Sequence, residues 1–266
     1  MAKVRLDTLL ADRGLFASRS RAAASVMAGE VRLGSDGRRA EKPGQLVAPD
    51  VQLAVDAAPR YVSRGGTKLA NALDALGVPV AGRRVLDVGA STGGFTDCLL
   101  QRGAAHVVAL DVAYGELDWR LRTDDRVTVL ERTNARALDV AALPYRPDLI
   151  VADVSFISLT KLLGAVLATA AEPFDALVMV KPQFEVGRGR VGKGGVVRDP
   201  ADRRDALAAV ARAGRAAGAQ VAGFAPSGLA GPKGNRETFL WLTEPGRPDA
   251  VVDLDAAVAA AEEAWA

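Results

Sequence analysis

The sequence of 266 residues is poor in the side chains that carry several common chemistries. It contains one cysteine, Cys98, and one histidine, His106. A single cysteine excludes an internal disulfide framework and a structural zinc site built on cysteines. A single histidine excludes a Ser-His-Asp triad unless His106 itself supplies the base. We therefore expect no cysteine-based metal centre and a reduced, cytoplasmic protein.

Long apolar runs are also missing. The first 13 residues carry five charged side chains, so this segment lacks the apolar core of a signal peptide. The longest charge-free run, residues 216–232, contains two prolines and several glycines. A membrane-spanning helix needs about 20 mostly apolar residues, which this run does not provide. The sequence predicts no membrane partner.

The composition is that of a globular protein, with 49% hydrophobic and 25% charged residues. The charge is unevenly placed. Residues 1–68 hold 12 Lys and Arg against 7 Asp and Glu, whereas residues 69–266 hold 22 against 25. Local basic charge favours binding to phosphate backbones. A solvated basic face without a partner explains the charge alone equally well.

The N-terminal segment predicts a small domain of its own. Its first 28 residues have the apolar spacing of two short helices, with Ser18 capping the second. A Gly-Ser-Asp-Gly turn at residues 34–37 lies between short apolar segments and predicts a hairpin sheet. We expect an α+β domain over residues 1–58, followed by a linker over residues 59–66, which has no helical period.

The remaining residues, 67–266, alternate between strand and helix patterns and predict an α/β fold. Strands are expected at residues 84–88, 107–112, 127–131, 149–153, 177–181, 221–226 and 238–242, and helices at 67–76, 94–102, 158–171, 200–217 and 255–264. Seven strands in this alternation indicate a mostly parallel sheet with helices on both faces.

A glycine-rich turn follows the first of these strands. Residues 87–95 have the sequence Asp-Val-Gly-Ala-Ser-Thr-Gly-Gly-Phe, which lets a ligand approach the backbone closely. The spacing matches neither the dinucleotide motif nor a P-loop. Asp87, two residues before the first glycine, is typical of S-adenosylmethionine sites, and Asp111, at the end of the next strand, is suited to a ribose diol. A tight turn and an unliganded carboxylate explain each feature alone, but together they favour a ligand site.

Four charged residues far apart in the sequence are candidates for catalysis. Asp153 and Lys181 each end an apolar strand, Glu237 precedes another strand, and Lys68 lies in the helix before the first strand. The carboxyl ends of parallel strands form the ligand edge of an open α/β sheet, so Asp153 and Lys181 should meet there. A structural ion-pair network is the alternative.

Two further glycine-rich segments carry loop signals. Residues 187–195 combine glycines with Arg188, Arg190 and Lys193, a composition suited to gripping phosphates, although a plain flexible loop fits nearly as well. Residues 227–235 lead into Glu237 and are expected to line the substrate side.

The chain closely resembles the TlyA family, which are ribosomal RNA 2′-O-methyltransferases once described as haemolysins. The N-terminal runs that resemble an S4 RNA-binding domain are residues 5–7, 14–15, 18–19, 22–24, 29–31 and 42–44. The runs that resemble an FtsJ-type methyltransferase are residues 62–65, 68–69, 89–95, 131–136, 153–159 and 181–185.

The resemblance implies a Rossmann-like, S-adenosylmethionine-dependent methyltransferase fold behind a small S4 domain. It implies a catalytic tetrad of Lys68, Asp153, Lys181 and Glu237. The residues implied to bind S-adenosylmethionine are Asp87, Gly89, Ser91, Thr92, Gly93, Gly94, Phe95, Asp111, Asn134 and Asp153. The cations expected to contact RNA are Arg5, Arg19, Arg21, Arg32, Lys42, Arg64, Arg188, Arg190 and Lys193.

The implied reaction is methylation of a cytidine ribose in small-subunit ribosomal RNA and, in some members, large-subunit RNA. The expected partners are therefore ribosomal RNA and ribosomal subunits, without a metal. Partial burial and a neighbouring cation both favour the neutral form of a lysine, so Lys181 is expected to act as the general base. A ribosome-assembly factor without catalysis and a membrane-lytic protein are the alternatives, the first disfavoured by the complete tetrad.

Overall fold

The computed structural model describes residues 3–55 and 60–265. It divides into two compact units, Met1–Arg60 and Tyr61–Ala266. Residues 56–58 of the expected first domain and residue 59 of the expected linker lie outside the described residues, as do residues 1–2 and 266.

The first unit contains two helices and short strands around a small apolar core. Its elements are β1 (Val4–Arg5), α1 (Leu6–Asp12), α2 (Arg19–Ala28), β2 (Val31–Leu33), β3 (Arg38–Arg39), β4 (Leu46–Val47) and β5 (Leu53–Val55). Ser18 caps α2, because its hydroxyl accepts a hydrogen bond from the backbone N–H of Arg21, and Gly29 ends the helix at a φ of 76°. The predicted helices and the predicted turn between β2 and β3 are confirmed.

The second unit is built on a seven-stranded sheet. Its elements are α3 (Arg64–Leu76), β6 (Arg84–Val88), α4 (Gly94–Gln101), β7 (His106–Leu110), α5 (Trp119–Arg122), β8 (Val127–Leu130), β9 (Leu149–Ala152), α6 (Leu163–Leu167), β10 (Asp175–Val180), α7 (Pro182–Glu185), α8 (Pro200–Ala216), β11 (Gln220–Pro226), β12 (Thr238–Thr243) and α9 (Leu254–Glu263). The strand order is β11-β12-β10-β9-β6-β7-β8, and β12 runs antiparallel to both of its neighbours. The predicted mostly parallel α/β sheet is confirmed.

Apolar side chains cover both faces of this sheet. One core cluster joins the sheet to α6, α8 and α9, and the other joins it to α3, α4 and α5. Strands β6, β9 and β10 are therefore buried on both sides, which explains their continuous apolar sequences.

Two helix boundaries differ from the predictions. Helix α3 begins at Arg64, inside the stretch predicted as a linker. Its glycines allow a close approach to α4, since a Cβ at Gly66 would lie 2.7 Å from the Gly94 carbonyl oxygen. The single helix predicted over residues 158–171 is wrong: a 3₁₀ turn, Leu159–Lys161, is followed by the short α6. Leu162, at a φ of −124°, separates the two and interrupts the helical geometry.

The register of the sheet brings distant residues to one edge. In the parallel pairs Val88 lies opposite Ala152, so Gly89 and Asp153 leave the sheet side by side. In the antiparallel pair Val180 lies opposite Thr238, so the residue after β10 and the residue before β12 are neighbours. Because β12 is reversed, its beginning lies at the edge where the parallel strands end.

Within the described ranges, 3–55 and 60–265, no helix combines the length and apolar character needed to cross a bilayer.

Candidate active site

A cavity of about 640 Å³ opens at this edge of the sheet. All four charged residues expected to converge, Lys68, Asp153, Lys181 and Glu237, line it. The structure thus brings together side chains that come from α3, from the ends of β9 and β10, and from the start of β12.

Lys68 and Glu237 form a buried ion pair between Nζ and Oε2. Their side chains are only 7% and 2% exposed. Helix α3 is held near the loop that leads to Glu237, because the Asn71 side-chain amide donates to the Ser227 carbonyl at 3.0 Å. A buried ammonium needs such a partner, since an isolated charge is expensive to remove from water.

Lys181 and Asp153 form the second pair, which is more open to solvent. Lys181 Nζ lies 2.5 Å from Asp153 Oδ1 and donates a hydrogen bond to Ser155 Oγ at 3.0 Å. The side chains of Lys181 and Asp153 are 11% and 24% exposed. The site therefore contains one sealed ion pair and one that faces the cavity, where a substrate can reach the amine.

A second cavity, of about 370 Å³, shares Gly89, Ser91, Asp153, Ser155 and Phe156 with the first. The two spaces form one groove along the strand ends. The second cavity is lined by apolar side chains and by residues that follow β7 and β8. Its other lining residues include Leu110, Asp111, Asn134, Ala135, Val154, Ile157 and Leu162.

Asp111 is fixed at the end of β7 by two backbone hydrogen bonds. Its Oδ2 accepts from Ser91 N at 2.8 Å, and its Oδ1 accepts from Ala113 N at 2.8 Å. Each carboxylate oxygen has two acceptor positions, so one on each oxygen is available to a ligand hydroxyl.

The sequence pattern assigns no role to several residues that line the cavities. Phe156 is 92% exposed, has a φ of 66°, and its ring centroid lies 5.4 Å from that of Phe184. A bulky side chain with positive φ is strained, and such residues cluster at functional sites. Gln183, Phe184, Ser155 and Lys233 also line the first cavity. The sequence offered no signal for the positive φ of Phe156, because it is not a glycine or an asparagine.

The two glycine-rich loops meet beside the cavity. The Asn235 side chain accepts from Val197 N at 3.0 Å and donates to the Gly195 carbonyl at 2.8 Å. Both Gly195 and Asn235 line the cavity, as do Gly231 and Pro232. Part of residues 227–235 thus lines the cavity, and its place on the substrate side stays a prediction.

Comparisons with known proteins agree with this geometry. The sequence pattern of FtsJ-like methyltransferases matches residues 61–244, and that of the S4 domain matches residues 4–53. The 16S/23S rRNA (cytidine-2′-O)-methyltransferase TlyA of Mycobacterium tuberculosis is 53% identical over 242 residues, which is 90% of each chain. The chain belongs to the TlyA family of FtsJ-like methyltransferases.

Solved structures agree with the TlyA family fold. A structure from Streptococcus thermophilus that carries a hemolysin name is 37% identical, has a TM-score of 0.74, and covers 100% of this chain and 98% of its own. An S-adenosylmethionine-dependent methyltransferase from Mesorhizobium loti, with 16% identity and a TM-score of 0.51 over 68% of this chain and 100% of its own, shares the fold alone.

The groove fits S-adenosylmethionine, the methyl donor that a TlyA-family enzyme requires. Asp111 presents carboxylate oxygens for a ribose diol, and Ala135, Ile157 and Leu162 offer apolar walls for an adenine, with the Asn134 amide beside them. A Cβ at Gly89 would lie 2.5 Å from the Asp153 carbonyl oxygen, so only glycine fits at this turn. Gly89, Ser91, Thr92, Gly94, Phe95, Asp111, Asn134 and Asp153 line the groove.

Two residues expected to bind the cofactor lie elsewhere. Gly93 has a φ of 95° and lies against Leu117 and Leu121 rather than lining either cavity. Asp87 is fully buried, and its Oδ2 accepts a hydrogen bond from Thr96 Oγ1 at 2.7 Å. Among the described residues, Asp87 Oδ1 has no hydrogen-bond partner. Asp87 thus lines neither cavity, and its contact with the cofactor stays a prediction.

Asp87 provides a prediction about stability and pH. Burial raises the pKa of Asp87 from 3.8 to about 7, with Asp153 and Asp111 adding to the effect. The folded protein thus holds a proton that the unfolded chain loses near pH 4, so stability falls as pH rises from about 4 to 7. The free energy of unfolding of Asp87→Asn, relative to that of the wild type, should therefore rise by about 1.4 kcal/mol per pH unit across this window.

Urea unfolding at several pH values measures this difference. Asp125→Asn, which changes an exposed carboxylate, is the control and should leave the pH dependence unchanged. A constant difference between Asp87→Asn and the wild type from pH 4 to 7 would contradict the assignment.

The cations expected to bind RNA have different surroundings. Arg64 lines the first cavity and donates to the Ala230 carbonyl at 3.1 Å. Arg188 lines a neighbouring space with Arg136 and Lys161, and Lys193 is exposed. Arg190 is ion-paired with Asp202 at 3.1 Å and Asp205 at 2.6 Å, which makes it less available to phosphate. In the first unit, Arg21 and Lys42 are exposed, whereas Arg32 is half-buried.

Within residues 3–55 and 60–265, no three side chains of the His, Cys, Asp or Glu type are grouped as a metal site would require.

Proposed function

We propose that this protein transfers the methyl group of S-adenosylmethionine to the ribose 2′-hydroxyl of a cytidine in ribosomal RNA. The observation that carries the proposal is the pairing of Lys181, which lines the first cavity, with Asp153, which lines both cavities. The substrate class is supported by the M. tuberculosis relative, whose name specifies 16S/23S rRNA and cytidine 2′-O-methylation.

The chemical demand is removal of a proton from a weakly acidic hydroxyl as its oxygen is alkylated. When bound, S-adenosylmethionine supplies an electrophilic methyl group on a positively charged sulfur. Lys181 Nζ, as the neutral amine, accepts the proton of the 2′-hydroxyl. The oxygen forms the new bond to the methyl carbon as the bond from that carbon to sulfur breaks and its electron pair stays on a neutral sulfur. Asp153 and Ser155 hold the Lys181 amine in place and stabilise the ammonium that results.

The buried pair of Lys68 and Glu237 adds two further charges to the first cavity. Lys68 places a cation at the cavity that Lys181 also lines, and Glu237 is the ion-pair partner of Lys68. Holding nucleophile and methyl carbon in an attack geometry is the larger contribution, about 7–11 kcal/mol.

The S4 domain is the proposed RNA-docking element, and ribosomal subunits in the cytoplasm are the proposed partners. Residues 1–58 and 67–266 serve in this proposal as RNA-docking and catalytic domains, with residues 59–66 as the linker. The net basic charge of the N-terminal part and the match to the S4 pattern over residues 4–53 support this division.

The test is a transfer assay with tritiated S-adenosylmethionine on 30S and 50S subunits purified from cells that lack the gene. We expect label in the RNA and, after digestion to nucleosides, in 2′-O-methylcytidine. Subunits from cells that carry the gene are the control and should accept little label. Binding without transfer would favour an assembly factor, and leakage of liposomes by the pure protein would favour a membrane-lytic one.

Phe156 provides a further prediction within this proposal. Its ring is exposed at the junction of the two cavities, so it offers a π-face to a base whose ribose has entered the site. Stacking of one base on an aromatic ring is worth about 1–3 kcal/mol, so Phe156→Ala should reduce kcat/KM for RNA by about 5–150-fold.

Phe156→Tyr keeps the ring and is the matched control, with activity near that of the wild type. The affinity for S-adenosylmethionine, measured by calorimetry, should stay within a factor of two or so in both variants. Full activity of Phe156→Ala on ribosomal subunits would show that the ring does not contact the substrate.

A further inference from the structure

One buried carboxylate in the N-terminal unit holds two arginines from different elements. Arg5 donates from Nε to Asp7 Oδ1 at 3.1 Å and from Nη2 to Asp7 Oδ2 at 2.8 Å. Arg19, at the start of α2, donates from Nε to Asp7 Oδ2 at 3.1 Å. The two guanidinium groups therefore share a single acceptor and are held near each other.

Of these three side chains the carboxylate is buried and the two arginines are largely exposed. Asp7 is 3% exposed, whereas the side chains of Arg5 and Arg19 are 47% and 58% exposed. Hydrogen bonds from Arg5 hold the pKa of Asp7 well below its usual range, so the carboxylate stays charged. The carboxylate thus faces the protein, while the cations face solvent.

Among the residues that the structure describes, most donors of the two arginines remain available to a ligand. A guanidinium has five N–H donors, of which Arg5 gives two to Asp7 and Arg19 gives one. Two forks anchored at one side and open at the other match the oxygens of phosphate groups, which arginine binds in a bidentate way.

Gly44 lies close to the guanidinium of Arg5. A Cβ added at Gly44 would lie 3.0 Å from Arg5 Nη2 and 3.1 Å from Arg5 Nη1. The Arg5 guanidinium therefore lies against the Asp7 carboxylate on one side and close to Gly44 on another.

We propose that Asp7 is a positioning residue that joins Arg5 and Arg19 into one clamp for phosphate groups of the RNA backbone. The inference rests on the proposed function, in which the N-terminal unit binds ribosomal RNA. Long side chains lose conformational freedom when they bind, and a clamp that is ordered beforehand avoids much of that loss. Asp7 contributes to RNA affinity through this ordering, although it carries the same charge sign as the RNA.

Because Asp7 is negatively charged, the direction in which its replacement changes RNA affinity tests the proposal. Removing a negative charge from an RNA-binding surface should tighten binding if overall electrostatics is all that matters. The clamp predicts the reverse, because Asp7→Asn frees two guanidinium groups. Asp12→Asn, at the exposed end of the same helix, is the matched control and should bind as tightly as the wild type or slightly more tightly.

The experiment uses the full-length chain and deproteinised bacterial ribosomal RNA as the probe, with filter binding at several salt concentrations. We expect Asp7→Asn to weaken binding about fivefold or more, the cost of ordering two long side chains. In the background of Arg5→Ala with Arg19→Ala, the same Asp7→Asn change should have no further effect. A purely structural role of Asp7 would still weaken binding in that background.

Gly44→Ala provides a test that changes no charge. The added methyl group displaces the flexible end of Arg5, so binding should weaken while the midpoint of thermal unfolding stays near that of the wild type. If Asp7→Asn itself lowers that midpoint, Gly44→Ala and the Arg5 and Arg19 background decide the outcome.

Two results overturn the inference. Equal or tighter binding by Asp7→Asn, with a wild type that binds RNA, would reject the clamp and leave the proposed function intact. Absence of RNA binding by the wild type would reject both the clamp and the proposed RNA role of the N-terminal unit.

Discussion

Lys181→Ala should lower the rate of methyl transfer by about 10²–10⁴-fold, the usual contribution of a positioned general base. The amine lies 2.5 Å from Asp153 Oδ1 and faces the cavity, and of the two lysines it is the more exposed, at 11% against 7% for Lys68. Binding of S-adenosylmethionine should persist, because Asp111, Asn134 and the glycine turn are unchanged. Single-turnover transfer to ribosomal subunits and calorimetry with the cofactor measure the two quantities.

Lys181→Arg tests whether Lys181 acts as a base or only as a fixed cation. Arginine retains the positive charge and the ion pair with Asp153 but cannot lose its proton at neutral pH. It should be nearly as slow as Lys181→Ala, whereas Lys161→Ala, which removes a cation of the neighbouring cavity, should keep the chemical step. Near-normal single-turnover rates in Lys181→Arg would remove Lys181 as the base.

Glu237→Ala should destabilise the protein as well as inactivate it. The change leaves the Lys68 ammonium buried without its partner, and breaking a buried pair in this way costs about 3–5 kcal/mol. In a protein of this size that loss lowers the midpoint of thermal unfolding by about 6–20 °C. Calorimetric unfolding of the variant and the wild type measures the shift.

A double variant separates the stability of the pair from its role in the reaction. Replacing both partners by apolar residues, as in Lys68→Met with Glu237→Leu, removes the unpaired charge and should restore much of the lost stability. The double variant should nevertheless remain inactive, because the cation at the cavity is gone. A stable double variant with wild-type transfer would show that the pair serves the fold alone.

The sequence predicted the place of Asp153 and Lys181 because both follow continuous apolar strands. Parallel strands end at one edge, so two such residues had to be neighbours. Glu237 is different: it reaches that edge only because β12 runs antiparallel to β10, with Thr238 opposite Val180. Strand and helix alternation does not specify that reversal, and the resemblance to a known family carried the prediction instead.

The sequence did not show the side on which Asp87 points or the partners that Arg190 meets. Asp87 lies in a strand buried on both faces, where no polar alternation shows which side chain faces the ligand. The structure places it against Thr96, away from both cavities. Arg190 belongs to a basic loop in the sequence, but its carboxylate partners lie on α8, 12 and 15 residues further along the chain.

The identity of the atom that receives the methyl group distinguishes ribose methylation from every other reaction of the site. Ribosomal RNA from cells with the gene, without it, and with the Lys181→Ala allele should be digested to nucleosides and analysed by mass spectrometry. We predict that the wild-type gene adds 2′-O-methylcytidine and that the other two strains lack this addition. Equal 2′-O-methylcytidine in all three strains, or a gene-dependent methyl group on a base, would contradict the proposal.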